Sequence, residues 1–247
     1  LSPAAFAAQT DAPEEEAVIR AARLAQEAGA RLYVVHITSQ AAIERMRLLK
    51  KENKNLYAEV TSAHLGLNTQ DPIGMLAKMI PPIREKKDSE ALWRGVREDV
   101  VDTFGTDNVT RTIADKRLDQ GMWGSRTGYA VLGTHLPVLI SEGYHKRGVP
   151  LLDIVRKATM SPAKIFGLYP RKGTIRVGSD ADIVILDLDK EQQVDPARLG
   201  SSSDFSIFQG KTLKGWPVMT IVNGRVAAED GRLAEQKGNG SYLFRHL

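Results

Sequence analysis

Cysteine is absent from the 247 residues of this chain. Disulfide bonds, thiolate nucleophiles and cysteine-ligated metal sites are therefore excluded. Any metal ion must be bound by His, Asp, Glu or a modified side chain. The absence of cysteine also fits a cytoplasmic protein, which is the location that we predict.

Long apolar runs are missing as well. The composition, with 42% hydrophobic and 26% charged residues, is that of an ordinary soluble protein. No window approaches the ~18 to 20 apolar residues of a membrane-spanning helix. Basic blocks, such as those at residues 50–51 and 84–87, are short and lack interleaved aromatic side chains. The sequence therefore predicts neither a membrane nor a nucleic-acid partner.

Three common catalytic motifs are also absent. No GxSxG elbow occurs, and this disfavours a serine hydrolase. Neither a GxxxxGK[ST] phosphate loop nor a GxGxxG turn that opens a helix is found. Nucleotide-binding enzymes thus lose their usual sequence support.

Helical and strand-like segments alternate along most of the chain. Apolar side chains at helical spacing, and short β-branched runs, mark these segments. Helices are predicted over residues 14–28, 40–51, 90–98, 135–142, 151–160 and 162–166, and strands over 31–35, 56–60 and 101–105. This alternation predicts a parallel sheet covered by helices, either barrel or doubly wound. Three strands are too few for a complete barrel of eight.

The pattern changes at about residue 173. Residues 173–188 predict two strands around a Gly-Ser-Asp turn, and residues 218–228 predict a hairpin around Asn223-Gly224. Residues 193–215, rich in Ser and Gly, are typical of a long connection. The C-terminal part is therefore predicted to be a small antiparallel unit separate from the α/β core.

Polar residues that directly follow predicted strands are the first candidates for a site, because ligands bind at the carboxyl ends of parallel strands. His36, residues 59–65 and Asp107 occupy such places. A His ring nitrogen can bind a metal, and Asp can both bind it and accept a proton from water. Each also has a structural explanation, His36 as a hydrogen-bonded core residue and Asp107 as a turn former.

Several other residues leave both a functional and a structural explanation open. Residues 59–65 could form a substrate-facing loop, but Glu59 could equally be a strand-end salt-bridge partner and His64 a helix-start residue. His135 precedes a helix and is interpreted as structural. Trp123, in a glycine-flanked stretch, is predicted either to line a pocket or to cap the core.

Four segments carry a family resemblance in their combined order. They are residues 33–39 (YVVHITS), 59–65 (EVTSAHL), 80–84 (IPPIR) and 105–107 (GTD). In this order they resemble the cyclic amidohydrolases, the group of hydantoinases, dihydropyrimidinases, dihydroorotases and allantoinases. The first is similar to the sixth barrel strand, the second and third to the region after the seventh, and the last to the end of the eighth. Residues 172–182 resemble the return into the family's small β-sandwich.

The resemblance implies an α/β fold. Residues 1–172 would be the C-terminal part of a (β/α)8 TIM-type barrel, and residues 173–247 a β-sandwich segment and tail. His36 would bind the more exposed ion of a two-zinc centre. Asp107 would bind the buried ion and act as general base and acid. The other ligands, including a carboxylated bridging lysine, are expected upstream of Leu1, so this fragment alone is expected to be inactive.

The activity implied is hydrolysis of a cyclic amide, a hydantoin or dihydropyrimidine ring, by a homo-oligomer, a dimer or tetramer. Substrate contacts are implied at Ile80, Asn108 and His64. Asn108 departs from the His usual after the family's Asp, Ala63 from the His frequent in dihydroorotases, and Ile80 from the usual Ser or Asn. The alternatives are a dihydroorotase or allantoinase, or a non-catalytic dihydropyrimidinase-like scaffold.

Overall fold

The computed structural model describes residues 11–234 and 240–245. The α-helices are α1 (Ala12–Glu27), α2 (Gln40–Glu52), α3 (Ser62–Gly66), α4 (Lys86–Arg97), α5 (Ile113–Lys116), α6 (Gly121–Gly124), α7 (His135–Val138), α8 (Leu151–Ala158) and α9 (Met160–Ile165). The strands are β1 (Leu32–Val34), β2 (Leu56–Thr61), β3 (Thr103–Gly105), β4 (Ile183–Gln193), β5 (Thr212–Val222), β6 (Arg225–Glu229) and β7 (Arg232–Leu233). Short 3-10 helices cover Gly74–Ala77, Leu118–Gln120, Leu132–Thr134 and Pro196–Arg198, and a π-helix covers Leu139–His145.

Local signals explain where the first two helices begin and end. Pro13 stands in the first turn of α1, and Gly29 beyond its end takes a positive φ of 62°. Ser39 caps α2, because its side chain accepts a hydrogen bond from the Ala42 N–H at 3.2 Å. β1 lies between these two helices in the chain.

The first three strands form one parallel sheet in the order β1-β2-β3. Tyr33 pairs with Tyr57 across the first ladder, and Glu59 with Thr103 across the second. One face of β2 packs into the main hydrophobic core beneath α1, α2 and α4. The buried members of that face and of the helices include Ile43, Met46, Leu56, Ala58, Val60, Leu92, Trp93 and Val96. The opposite face carries polar and aromatic side chains from all three strands, as expected for the inner face of a barrel.

The remaining strands form an antiparallel sheet in the order β4-β5-β6-β7. Asn223 and Gly224 link β5 to β6 with positive φ values of 49° and 76°, the geometry of a two-residue hairpin turn. This confirms the predicted second hairpin. Gly215 of β5 lies directly against Ile140, so the sheet packs on the helical part of the chain. The boundary at residue 172 between the barrel part and the β-sandwich segment stays a prediction.

The predicted hairpin over residues 173–188 is wrong in its first half. Residues 173–182 contain no strand, and the strand in this segment begins at Ile183. Lys172 binds both Asp180 and Asp182, and the Asp180 N–H donates to the Arg171 carbonyl at 3.0 Å. The Ser179 and Asp182 N–H groups also donate within the segment, to the Arg176 and Asp180 carbonyls, so these backbone groups form loop bonds and not a ladder.

Two other predicted segments differ in detail. The helix expected over residues 135–142 is α-helical only as α7 and continues as the π-helix, where Gly143 lies against the Trp93 ring. The connection at residues 193–215 is shorter than predicted at both ends. It also contributes to a second buried cluster, because Phe205 and Phe208 are each 1% exposed.

Candidate active site

His36 and Asp107 lie at the same edge of the parallel sheet, each two residues beyond its strand. Both have left-handed backbone conformations, with φ of 41° at His36 and 47° at Asp107. His and Asp are among the few non-glycine residues that adopt this region. One strand, β2, separates their strands, so the two backbones are about 10 Å apart, two strand spacings. The structure thus places the two predicted site residues at one edge of the sheet, beyond the ends of the two strands that flank β2.

The segment after His36 is fixed by charged side chains. The Glu14 carboxylate accepts hydrogen bonds from the Thr38 N–H at 2.8 Å and the Ser39 N–H at 2.9 Å. Arg84, from the Pro-Pro segment, donates to the Thr38 hydroxyl at 3.1 Å and pairs with Glu14 at 3.7 Å. These bonds fix the backbone just after His36. They also hold Arg84, and with it the IPPIR segment, close to the site.

The loop after Asp107 is fixed to a different segment. The Asn108 side-chain oxygen accepts a hydrogen bond from the Val131 N–H at 2.8 Å. Buried Tyr129 donates its hydroxyl to the Thr106 carbonyl at 3.3 Å. Burial, and then the nearby negative charge of Asp107, raise the Tyr129 pKa, so this phenol stays protonated beside the carboxylate. Asn108 therefore joins the loop to its neighbour, whereas Asp107 remains exposed.

His64 and Ile80 are joined through one loop. His64 is 3% exposed, and its Nε2 lies 3.2 Å from the Pro81 carbonyl. Because a carbonyl only accepts, Nε2 must donate, and Nδ1 accepts from the Thr61 hydroxyl at 2.7 Å. Ile80, before Pro81, is 63% exposed. Ile80 therefore lies at the surface, and the hydrogen bond from His64 fixes the adjacent residue, Pro81.

The buried His64 makes stability depend on pH. Burial, and then smaller effects that include the His36 charge, lower the pKa of His64 from 6.5 to about 4. The folded state therefore keeps this ring neutral while the unfolded state takes up a proton below pH 6.5. Stability from this group is present above pH 6.5 and is lost as the pH falls toward 4.

We expect the His64→Gln variant to lose less stability on acidification than the parent protein. At ~1.4 kcal/mol per pKa unit, the difference is about 2 to 3 kcal/mol between pH 7 and 4.5. Urea unfolding at the two pH values measures it. An identical pH dependence in both proteins would contradict the depressed pKa.

Glu59 contributes to the site more directly than the sequence indicates. Its carboxylate accepts hydrogen bonds from the Tyr33 hydroxyl at 2.7 Å and the His36 N–H at 3.3 Å. The sequence left Glu59 open between a substrate-facing loop and a salt-bridge partner. The signal for a role in the site is that Glu59 lies on β2, between the strands that lead to His36 and Asp107. The sequence alone does not give this strand order.

Two other sequence interpretations can be compared with the structure. The Nδ1 of His135 lies 3.0 Å from the Ser62 hydroxyl, and burial lowers its pKa to about 4. This arrangement agrees with the structural role expected for His135. Trp123 is 88% exposed, so it does not cap the core.

The donor atoms present suit part of a metal site. An imidazole and a carboxylate are ligand types that zinc binds, but a catalytic zinc takes three or more protein ligands. Within residues 11–234 and 240–245, no group of three or more His, Asp or Glu side chains is placed to bind a metal ion. His36 and Asp107 thus fit a metal centre only as two of its ligands.

Comparison with known proteins identifies the family. A model of the amidohydrolase family matches residues 5–227. The chain belongs to the amidohydrolase family. This membership confirms the family resemblance stated from the ordered segments.

Individual amidohydrolases match closely over half of their length. The L-hydantoinase of Paenarthrobacter aurescens is 35% identical over 235 residues, 94% of this chain and 51% of that protein. The dihydroorotase of Bacillus caldolyticus is 35% identical over 218 residues, 87% of this chain and 50% of that protein. The crystal structure of dihydropyrimidinase from Brevibacillus agri superimposes with a TM-score of 0.93 at 28% identity, covering 98% of this chain and 54% of that one.

These matches bear on the fold and on the extent of the chain. The chain spans about half the length of the curated relatives it matches. Its parallel and antiparallel sheets confirm the predicted α/β class, the C-terminal part of a TIM-type barrel with a β-sandwich segment. Among the described residues, no helix is both long and apolar enough to cross a membrane.

Proposed function

We propose that the protein containing this chain hydrolyses a cyclic amide, a hydantoin or a dihydropyrimidine ring. The main support is the placement of His36 and Asp107 at one edge of the sheet in a chain 35% identical to an L-hydantoinase. A dihydroorotase is the second candidate, because one matches at the same identity. Ala63 favours the first, since dihydroorotases often have His there. A non-catalytic scaffold fits less well with hydantoinase and dihydroorotase relatives.

The metal centre that we propose contains two zinc ions. His36 would bind the more exposed ion and Asp107 the buried one, with the remaining ligands and a carboxylated lysine supplied by residues upstream of Leu1. When bound, zinc lowers the pKa of a coordinated water and polarises the amide carbonyl. A ring amide is otherwise a poor electrophile, so both effects assist its hydrolysis.

Asp107 would transfer the proton. Its carboxylate accepts a proton from the attacking water and returns it to the ring nitrogen as the C–N bond breaks. Its place directly beyond the end of β3 supports this role, because ligands of parallel sheets bind at the carboxyl ends of the strands. Tyr129, protonated beside it, adds no competing negative charge.

Substrate contacts would come from the loop that contains Ile80 and from Asn108. Ile80 is exposed next to the Pro81 carbonyl, and Asn108 follows Asp107 directly. His64 would act on the substrate through the loop that it positions, since both its ring nitrogens are bonded within the protein.

The working form would be a cytoplasmic homo-oligomer, a dimer or tetramer, without a nucleic-acid or membrane partner. The barrel part would comprise residues 1–172 and the β-sandwich segment residues 173–247. The mixed basic and acidic composition, 34 against 30 residues, supports a small-molecule substrate rather than a polyanion.

The test uses the complete polypeptide that carries this chain, purified with zinc. We expect bound zinc and turnover of hydantoin or dihydrouracil, and we expect the His36→Ala variant to lose the more exposed ion. Metal analysis and ring-opening assays, with dihydroorotate and allantoin included, measure both. A parent protein with little zinc and no turnover of any ring would support the scaffold alternative and overturn the proposal.

A further inference from the structure

Glu59 lies at the centre of the polar face of the parallel sheet, on the middle strand. It pairs in register with Thr103 of β3, and its carboxylate accepts hydrogen bonds from Tyr33 of β1 and from His36 beyond the end of β1. One oxygen accepts the Tyr33 hydroxyl, which also lies 2.6 Å from the Thr103 hydroxyl. The side chain is half-buried.

The other carboxylate oxygen reaches the backbone of His36. Its N–H donates to Glu59 Oε1 at 3.3 Å, while the next N–H, that of Ile37, donates to the Glu59 carbonyl at 2.9 Å. The left-handed φ of 41° turns the His36 N–H away from the ladder pattern, so it needs a side-chain acceptor. Glu59 thus satisfies the backbone N–H of His36.

The carboxylate also occupies the space above Gly105. A Cβ on Gly105 would lie 2.4 Å from Glu59 Cδ, closer than any real contact. Gly105 is two residues before Asp107 on β3. Glu59 therefore contacts the backbone of His36 and lies against Gly105, two residues before Asp107. A side chain at residue 105 would overlap the carboxylate, so only glycine leaves room for it.

We propose that Glu59 is a positioning residue, whose carboxylate fixes the His36 backbone so that the imidazole is presented to the metal. This inference rests on the proposed function, in which His36 is a ligand. Residues that orient a ligand change metal affinity by about 10- to 100-fold when removed. Because its role is to accept a hydrogen bond, an amide oxygen can replace the carboxylate.

The experiment compares variants of the complete polypeptide by zinc competition titration and thermal unfolding. We expect Glu59→Ala to bind zinc about 10- to 100-fold more weakly, and Glu59→Gln to stay within about threefold of the parent. Gly105→Ala, which displaces the carboxylate without removing it, should match Glu59→Ala. Glu52→Ala, at an exposed carboxylate at the end of α2, is the matched control and should change nothing.

Two outcomes would overturn the proposal. Parent-like zinc affinity in Glu59→Ala would show that His36 needs no such support. Equal weakening in Glu59→Gln and Glu59→Ala would show that the charge itself acts, as in direct ligation. If Glu59→Ala does not fold, the comparison of Gly105→Ala with Glu59→Gln gives the same decision.

A second readout separates this proposal from the proposed function. Hydrogen–deuterium exchange of the peptide that contains His36 should be faster in Glu59→Ala and parent-like in Glu59→Gln, whether or not metal binds. If His36→Ala leaves zinc binding unchanged, the ligand assignment fails. Unchanged exchange in Glu59→Ala would then independently refute the contact between Glu59 and the His36 backbone.

Discussion

The Asp107→Asn variant of the complete polypeptide is expected to lose about 10³-fold in kcat, within the range that general acid–base groups contribute. The amide keeps the shape of the carboxylate and an oxygen that can face a metal. It cannot accept a proton from water at neutral pH, so the proton has no place to go. Asn also tolerates the left-handed conformation that residue 107 adopts, so the backbone should not change.

Steady-state ring opening, zinc content and unfolding temperature should be measured on the same preparations. We expect the unfolding temperature to stay close to that of the parent, which separates lost chemistry from lost fold. Asp119→Asn is the matched control, because Asp119 is exposed and distant in sequence from the strand end. Full turnover in Asp107→Asn with retained metal would refute the assignment of Asp107.

The positions of His36 and Asp107 could be predicted because they depend on short-range signals. β-branched runs mark the strands, and parallel strands bring their carboxyl ends to one edge. The sheet order β1-β2-β3 follows the chain order, so no long-range rearrangement intervenes. The Asn223-Gly224 turn was equally predictable, since positive φ at both residues is a local demand.

Features that depend on contacts between distant segments could not be predicted in this way. The role of Glu59 requires the register that places it beside Thr103 and within reach of the His36 N–H. The predicted hairpin is replaced by a loop that Lys172 holds together by pairing with Asp180 and Asp182. In both cases the alternation of residue types is compatible with more than one partner, and tertiary packing selects among them.

Trp93 lies where the core supports the site. It is fully buried in α4, and its indole N–H donates to the Leu65 carbonyl at 3.0 Å. The Arg147 guanidinium lies 5.4 Å from the ring centroid, and Gly143 packs against the ring edge. Leu65 belongs to α3, the short helix that follows β2, so Trp93 ties the end of the middle strand to the helical layer.

Trp93→Ala is expected to lower the free energy of unfolding by about 4 to 6 kcal/mol. The cavity alone costs about 3 to 5 kcal/mol, and the unpaired Leu65 carbonyl adds about 1 kcal/mol or more. Trp123→Ala is the matched control, because Trp123 is 88% exposed and its removal should cost less than about 0.5 kcal/mol. Urea unfolding of both variants makes the comparison, and equal losses would contradict the burial of Trp93.

Because a loss of this size approaches the whole stability of many domains, ring hydrolysis should fall with the folded fraction in Trp93→Ala. The same activity should fall at constant fold in Asp107→Asn, so the two variants separate support of the site from its chemistry.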